Sequence, residues 1–162
     1  MDKRSSSVES SSRVHASTAL NADKAGHAAD KSRTEKLLFE GVTKSIIAAF
    51  YAVYDKLGFG FLENVYCGAL IIELRRRGHR VSREFIAPVF YDGIQIASYR
   101  LDFVVDECVV LEVKSTEVIS PSARRQLLNC LRATKFEVGL LLHFGPKPKF
   151  YRLIASEQFK KH

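Results

Sequence analysis

The stretch YRLDFVVDECVVLEVKS, residues 99–115, decides how this chain folds. Its apolar residues alternate in two runs, separated by Asp106, Glu107 and Cys108. Side chains alternate across a strand with period two, so Leu101, Phe103 and Val105 share one face and Val109, Leu111 and Val113 share one face of the next strand. Directly opposed residues lie on the same face of a sheet. Matching the two apolar sets therefore pairs 105 with 109, 103 with 111 and 101 with 113. The intervening loop of three residues is a common hairpin length. This register sets Asp102 opposite Glu112, with Lys114 next along the same face, and a slip of one residue would turn these charges into the apolar face. Opposed carboxylates about 5 Å apart at Cβ repel unless positive charge lies between them. A divalent cation with oxygen ligands supplies that charge, and Lys114 supplies part of it. A solvated sheet face with an incidental cluster of charges is the plain alternative.

Working outward, Ile46, Ile47, Phe50, Val53, Tyr54 and Leu57 recur at helical spacing and predict a helix over about 35–56. LGFG, residues 57–60, breaks it with two glycines. A second helix over about 62–77 buries Leu62, Val65, Tyr66, Ala69, Leu70 and Leu74. It stops at Gly78 after Arg75, Arg76 and Arg77, which suit a helix C-terminus. A strand is expected over 80–87, with Pro88 disturbing it, and Asp92-Gly93 is a hairpin turn signal. After the two strands of the opening stretch, Ser120 is an N-cap and Pro121 the first helical residue of SPSARRQLLNCLRAT. Ala123, Leu127, Leu128 and Leu131 form its inward face. FEVGLLLHF, residues 136–144, reads as a buried strand and KFYRLI, residues 149–154, as a final one. The expected class is α/β, a central mixed sheet flanked by helices, in the order α-α-β-β-β-α-β-β.

The chain has 162 residues, a hydrophobic fraction of 46% and a net charge of +7. The charge favours an anionic partner, most simply nucleic acid, although many soluble proteins are basic without binding any. Residues 1–33, rich in Ser, Ala, Lys and Asp, cannot bury enough apolar surface to offset the entropy of ordering, and are expected to be a disordered tail. The acids Asp2, Glu9, Asp23 and Asp30 dilute its use as a basic arm. Residues 34–162 are expected to form one domain. The three cysteines are odd in number and widely spaced, without a C-x-x-C pair, which points to reduced thiols in a cytoplasmic protein. No run approaches the roughly 20 apolar residues of a membrane span, and the N-terminus lacks the apolar core of a signal peptide.

Asp102, nine intervening residues, then Glu112-Val113-Lys114, on a hairpin followed by a helix, resemble the PD-(D/E)XK nucleases, whose core runs helix, three strands, helix, strand. GFLENVY, with Gly60, Glu63 and Tyr66, is similar to the signature of the GxxExxY protein family, a bacterial branch of that superfamily. YRLDFVV, LEVKS, QLLNCL and GLLLHFG follow in the family's order and spacing, so the resemblance covers about residues 35–154. It implies a restriction-endonuclease-like fold and hydrolysis of phosphodiester bonds in nucleic acid, DNA more than RNA. It implies Mg²⁺, with Mn²⁺ as a substitute, held by Asp102, Glu112 and Glu63, and the carbonyl of Val113 can add an oxygen. Lys114 would orient the attacking water and stabilise charge, and Gln126 on the following helix completes the set. Leu101 stands where the superfamily name has Pro, and Cys130 where a Tyr often follows the Gln. A metal ion acidifies a bound water and neutralises phosphate oxygens, and Mg²⁺ prefers an octahedral oxygen shell.

Tyr66, one turn beyond Glu63, is expected to pack with its hydroxyl near the site and within reach of nucleic acid. Arg100, assigned to the face opposite Asp102, is open to a salt bridge or, if the strand is bulged, to a phosphate contact. Arg124 and Arg125, with Arg132 and Lys135, either track a nucleic-acid backbone or form a solvated helix face. His79 and His143 are expected to be structural. The competing class is a non-catalytic nucleic-acid-binding or protein-interaction module that keeps the fold. Without a second recognition domain, the chain is expected to need a homodimer or a partner protein.

Overall fold

The structure, a computed structural model, describes residues 39–155. The expected tail over 1–33 and the first residues of the first expected helix lie outside these. Helix α1 covers residues 39–57, and α2 runs from Glu63 to Arg76. Strands β1 (Val81–Tyr91), β2 (Ile94–Val105) and β3 (Val109–Lys114) follow, then α3 (Pro121–Arg132), β4 (Val138–His143) and β5 (Lys149–Ile154). The expected element order holds, and among the described residues no helix is long and apolar enough to cross a membrane.

The five strands lie in one sheet in the order β1-β2-β3-β4-β5. All neighbours are antiparallel except β3 and β4, which are parallel because α3 carries the chain across between them. Both central strands are buried on both faces, as their unbroken apolar runs require. On one face, Ile46, Phe50, Leu70 and Leu74 of α1 and α2 pack on Phe103, Leu111, Leu140 and Phe144. On the other, Ala123, Leu127, Cys130 and Leu131 of α3 pack on Val104, Val110 and Leu141. Gly139 lets α3 approach β4 closely, since a Cβ there would lie 3.1 Å from Leu127.

Local chemistry sets the boundaries. Ser120 Oγ accepts from the Ser122 N–H at 3.2 Å, with Pro121 at the first turn of α3. Asp92 and Gly93 both take positive φ, the left-handed pair of a tight hairpin. Pro88 does not end β1, contrary to expectation. It pairs with Ser98 within the ladder, and β1 is an edge strand, where a missing N–H is tolerated. His79 is structural, as expected. Its ring joins Asp106 Oδ2 (2.6 Å) to Ser45 Oγ (2.7 Å), tying the β2–β3 loop to α1.

The β2–β3 register matches expectation at Val105–Val109 and Phe103–Leu111, and the loop is 106–108. The third expected pair, Leu101 with Val113, is absent from the ladder. Instead Asp102 Oδ2 accepts the Val113 N–H at 2.8 Å. A carboxylate oxygen thus takes the place of a backbone acceptor, and the strands part at that point. Across β2 the ladder with β1 passes from Arg83–Phe103 to Phe85–Leu101, skipping Glu84, whose φ is +52°. The irregularity turns Leu101 into the α3 layer while Phe103 stays in the α1–α2 layer, so the two do not share a face.

Candidate active site

The site forms where β2 and β3 part and α2 begins. Glu63 is the first residue of α2, where a carboxylate is favoured by the helix dipole. Glu112 is 9% exposed, in the middle of an apolar strand, so its charge needs compensation. Lys114 provides it. Its ammonium donates to Glu112 Oε1 at 2.8 Å and to the Val113 carbonyl at 3.0 Å, and lies 3.7 Å from Glu63 Oε2. The partner strand β4 sets Lys114 beside His143 in the parallel ladder, and Phe144 N–H bonds the Lys114 carbonyl at 2.8 Å. The strand end carrying the lysine is thereby anchored.

Electrostatics show how tightly the charges are grouped. Burial raises the Glu112 carboxyl above its ordinary range, and the charge of Asp102 raises it further, against the lowering effect of Lys114. For Lys114, burial lowers the ammonium, but the hydrogen bond and charge of Glu112, with Glu63 and Asp102, raise it overall. The lysine is therefore a fixed cation and not a proton acceptor near neutral pH. Two buried thiols flank the cluster from opposite layers. Cys67 on α2 is pushed up to about 12 by burial and by the charges of Asp102 and Glu63. Cys130 on α3 is pushed up to about 12 by burial and by Glu112. Both stay protonated and unreactive.

Oxygen donors from three elements lie around Lys114 and Val113: Glu63 from α2, Asp102 from β2, and Glu112 with the Val113 carbonyl from β3. This donor set fits a hard divalent cation, and the Lys114 ammonium stands where positive charge is called for. As the side chains lie, no group of three His, Cys, Asp or Glu among the described residues converges closely enough to hold a metal ion. Asp102 is turned onto Val113 N–H, and Lys114 bridges the rest. A cation at these residues would compete with the ammonium for the same oxygens.

The other expected residues fall elsewhere. Gln126 is exposed on α3, one turn before Cys130 on the stripe nearest Glu112. Arg124 is exposed and lies over the Tyr151 ring, 4.2 Å from its centroid, and Arg125 is exposed beside it. Arg100 is exposed and paired with Glu84. Regular alternation puts residues 100 and 102 on one face, so a place for Arg100 opposite Asp102 does not follow from a regular strand. Tyr66 is fully buried and stacked on Phe144 at 4.1 Å. Its hydroxyl donates to the Gly58 carbonyl at 2.7 Å and accepts from Phe61 N–H at 3.2 Å. Tyr66 thus shapes the loop ahead of Glu63 and has no surface with which to touch a nucleic acid.

One residue to which the sequence assigned no role also positions the site. Ser115 Oγ donates to the Phe61 carbonyl at 2.7 Å, joining the end of β3 to the loop before α2. Its signal was a hydroxyl directly after the lysine. His143 is buried, with Nε2 donating to the Thr116 carbonyl at 2.7 Å and Nδ1 left without a partner. This structural role agrees with expectation. Tyr66→Phe removes both loop bonds and is expected to destabilise the fold by about 1–2 kcal/mol. The change should appear as a lower denaturant midpoint at unchanged m.

A solved structure described as "Crystal structure of SSO0001" is similar at 17% identity and a TM-score of 0.47, over 57% of this chain and 50% of that one. The chain thus spans about half the length of that protein. The comparison with curated proteins gave no match. A family model described as the PD-(D/E)XK nuclease superfamily matches residues 40–153, which take in Glu63, Asp102, Glu112, Lys114 and Gln126. The chain belongs to the PD-(D/E)XK nuclease superfamily.

Proposed function

We propose that the chain hydrolyses phosphodiester bonds in nucleic acid, DNA in preference to RNA, as a GxxExxY-type member of its superfamily. The observation that carries this reading is the Lys114 ammonium gathered among Glu112, the Val113 carbonyl and Glu63. Mg²⁺, or Mn²⁺ in its place, would be held by Asp102, Glu112, Glu63 and the Val113 carbonyl. When bound it supplies charge neutralisation at the phosphate and acidifies water. Lys114 releases these oxygens and presents a fixed positive charge to the phosphate or the attacking water, where it is worth most in a half-buried site. Gln126, exposed on α3, would orient water or phosphate. Arg124 and Arg125, both exposed on α3, would follow the backbone with a salt-dependent affinity. The three free cysteines are consistent with a cytoplasmic setting.

The tests combine cleavage with binding. Labelled single- and double-stranded DNA and RNA are incubated with pure protein in Mg²⁺, Mn²⁺ or EDTA, and absence of cleavage on every substrate sinks the proposal. Metal binding has an independent readout. Any ligand held only by the folded state stabilises it, by about 2.7 kcal/mol at a hundred times its Kd. Mg²⁺ or Mn²⁺ is therefore expected to raise the Tm of the native chain by several degrees and to leave Glu112→Gln unmoved. Equal shifts in both would mean that the metal binds elsewhere.

A second reading has its own support, because no three side chains among the described residues converge for a metal and Lys114 already neutralises the cluster. The chain would then be a binding or interaction module. Salt-sensitive binding without turnover, unchanged by Asp102→Ala, is its signature. A homodimer or partner protein would suit either reading, since Phe90, Tyr91, Ile94 and Ile96 stand exposed at the tip of the β1–β2 hairpin.

A further inference from the structure

The loop that leads into α2 and the first turn of that helix carry apolar side chains turned to solvent. Phe59, Phe61, Leu62 and Val65 are 39%, 47%, 74% and 39% exposed, so Leu62 and Val65, contrary to expectation, stand outside the buried stripe of α2. Two of the four are aromatic, and all lie within four residues of Glu63. Exposed apolar clusters of this kind mark binding surfaces more often than chance surface residues do.

The loop is also held in place. Phe61 has both backbone groups engaged: its N–H donates to Tyr66 Oη at 3.2 Å, and its carbonyl accepts from Ser115 Oγ at 2.7 Å. Tyr66 is itself fully buried. The half-exposed Phe61 ring is thus carried on a fixed backbone. It lies two residues before Glu63, and its carbonyl is bonded to the residue after Lys114. Gly58 and Gly60, with φ of +66° and +118°, give the loop the turn that sends these side chains outward.

We infer that this rim is a stacking platform for unpaired bases, and that the substrate is nucleic acid with unpaired bases next to the scissile phosphate. The inference rests on the phosphodiesterase reading and names the substrate class of that same site. Three features converge on it. Every base has a π-face on which an aromatic ring stacks without regard to sequence. In a duplex those faces are covered by neighbouring base pairs, whereas single strands, loops and ends offer them. A net charge of +7 suits a polyanion better than an apolar protein partner. A base resting on Phe61 brings its own phosphodiester to the Glu63–Lys114 end of the cluster.

The chain contains no Trp, so Phe61→Trp is a single-fluorophore reporter placed on the rim. Labelled 20-nucleotide oligo-dT, oligo-U and blunt DNA duplex are titrated in EDTA, where binding is read by anisotropy and stacking by tryptophan emission. Quenching is expected as the single strands saturate, with little or none on the duplex. Phe59→Ala/Phe61→Ala is expected to weaken single-strand binding about tenfold and duplex binding far less. Phe61→Leu, which keeps an apolar side chain and disturbs folding least, should share much of the loss. The two single-stranded arms separate DNA from RNA. Saturation by anisotropy without any quenching, or equal losses on single strand and duplex, overturns the inference while the nuclease reading stands. Failure to bind any of the three nucleic acids overturns both.

Discussion

Lys114→Ala is expected to lower the cleavage rate by about 10²–10³-fold, the loss seen when one preorganised charge-stabilising group is removed from a hydrolytic site. The reason lies in how the ammonium is held. Glu112, the Val113 carbonyl and Glu63 fix its position, and Glu112 keeps it protonated. The ammonium is a preorganised cation, and in the proposed reaction its removal would cost transition-state stabilisation. Substrate binding, dominated by other charges, should change little, so kcat falls and KM stays. Lys114→Arg should recover only part of the activity, because a planar fork does not reproduce a compact point charge. Metal affinity distinguishes this role from a structural one. Since Lys114 and a cation share the same oxygens, Lys114→Ala is expected to bind Mg²⁺ at least as tightly as the native chain in calorimetry.

Asp102→Asn is expected to do the opposite, weakening metal binding by about 100-fold or more and removing activity with it. The amide oxygen of asparagine can still accept the Val113 N–H that Asp102 Oδ2 now accepts at 2.8 Å. The parting of β2 from β3 is thus kept and only the charge is lost. Stability should change little, or rise, because Asp102 is the charge that most opposes ionisation of Glu112. pH enters through the same pair. Glu112 holds its proton above the ordinary glutamate range, and in the proposed centre its ionised form would be the one that binds a metal. Metal affinity is therefore expected to fall with decreasing pH at a higher pH than an ordinary carboxylate would give. In Asp102→Asn the fall should begin lower. In the metal-free protein the linkage has the reverse sign. A carboxyl whose folded value is raised favours the fold below its unfolded value, and that contribution is lost as pH rises through the folded one.

The sequence carried most of the architecture because its signals were local. Alternation in residues 99–115 set two of three hairpin pairs, and Asp92-Gly93 and Ser120-Pro121 set a turn and a helix start. What escaped it depended on partners far along the chain. Pro88 reads as a strand breaker until β1 is known to be an edge strand. The irregularity at Asp102 has no mark in the apolar pattern, since it arises when a side-chain oxygen replaces a backbone acceptor. Tyr66 sits at signature spacing from Glu63, but its burial under the loop becomes visible only once Phe144 lies against it. The bridging position of Lys114 could not be read either, because Glu112 and Lys114 are two residues apart on a strand and the ammonium folds back along it.

The most direct measurement is cleavage of labelled nucleic acid by the native chain and Glu112→Gln, purified in parallel, in Mg²⁺ and in EDTA. Glu112 is the buried carboxylate on which the whole cluster depends, and the parallel variant controls for a contaminating nuclease. Cleavage by the native chain that requires the metal and is lost in Glu112→Gln is the expected result. No cleavage by the native chain, or equal cleavage by the two proteins, contradicts the assignment of a hydrolytic centre at the point where β2 and β3 part.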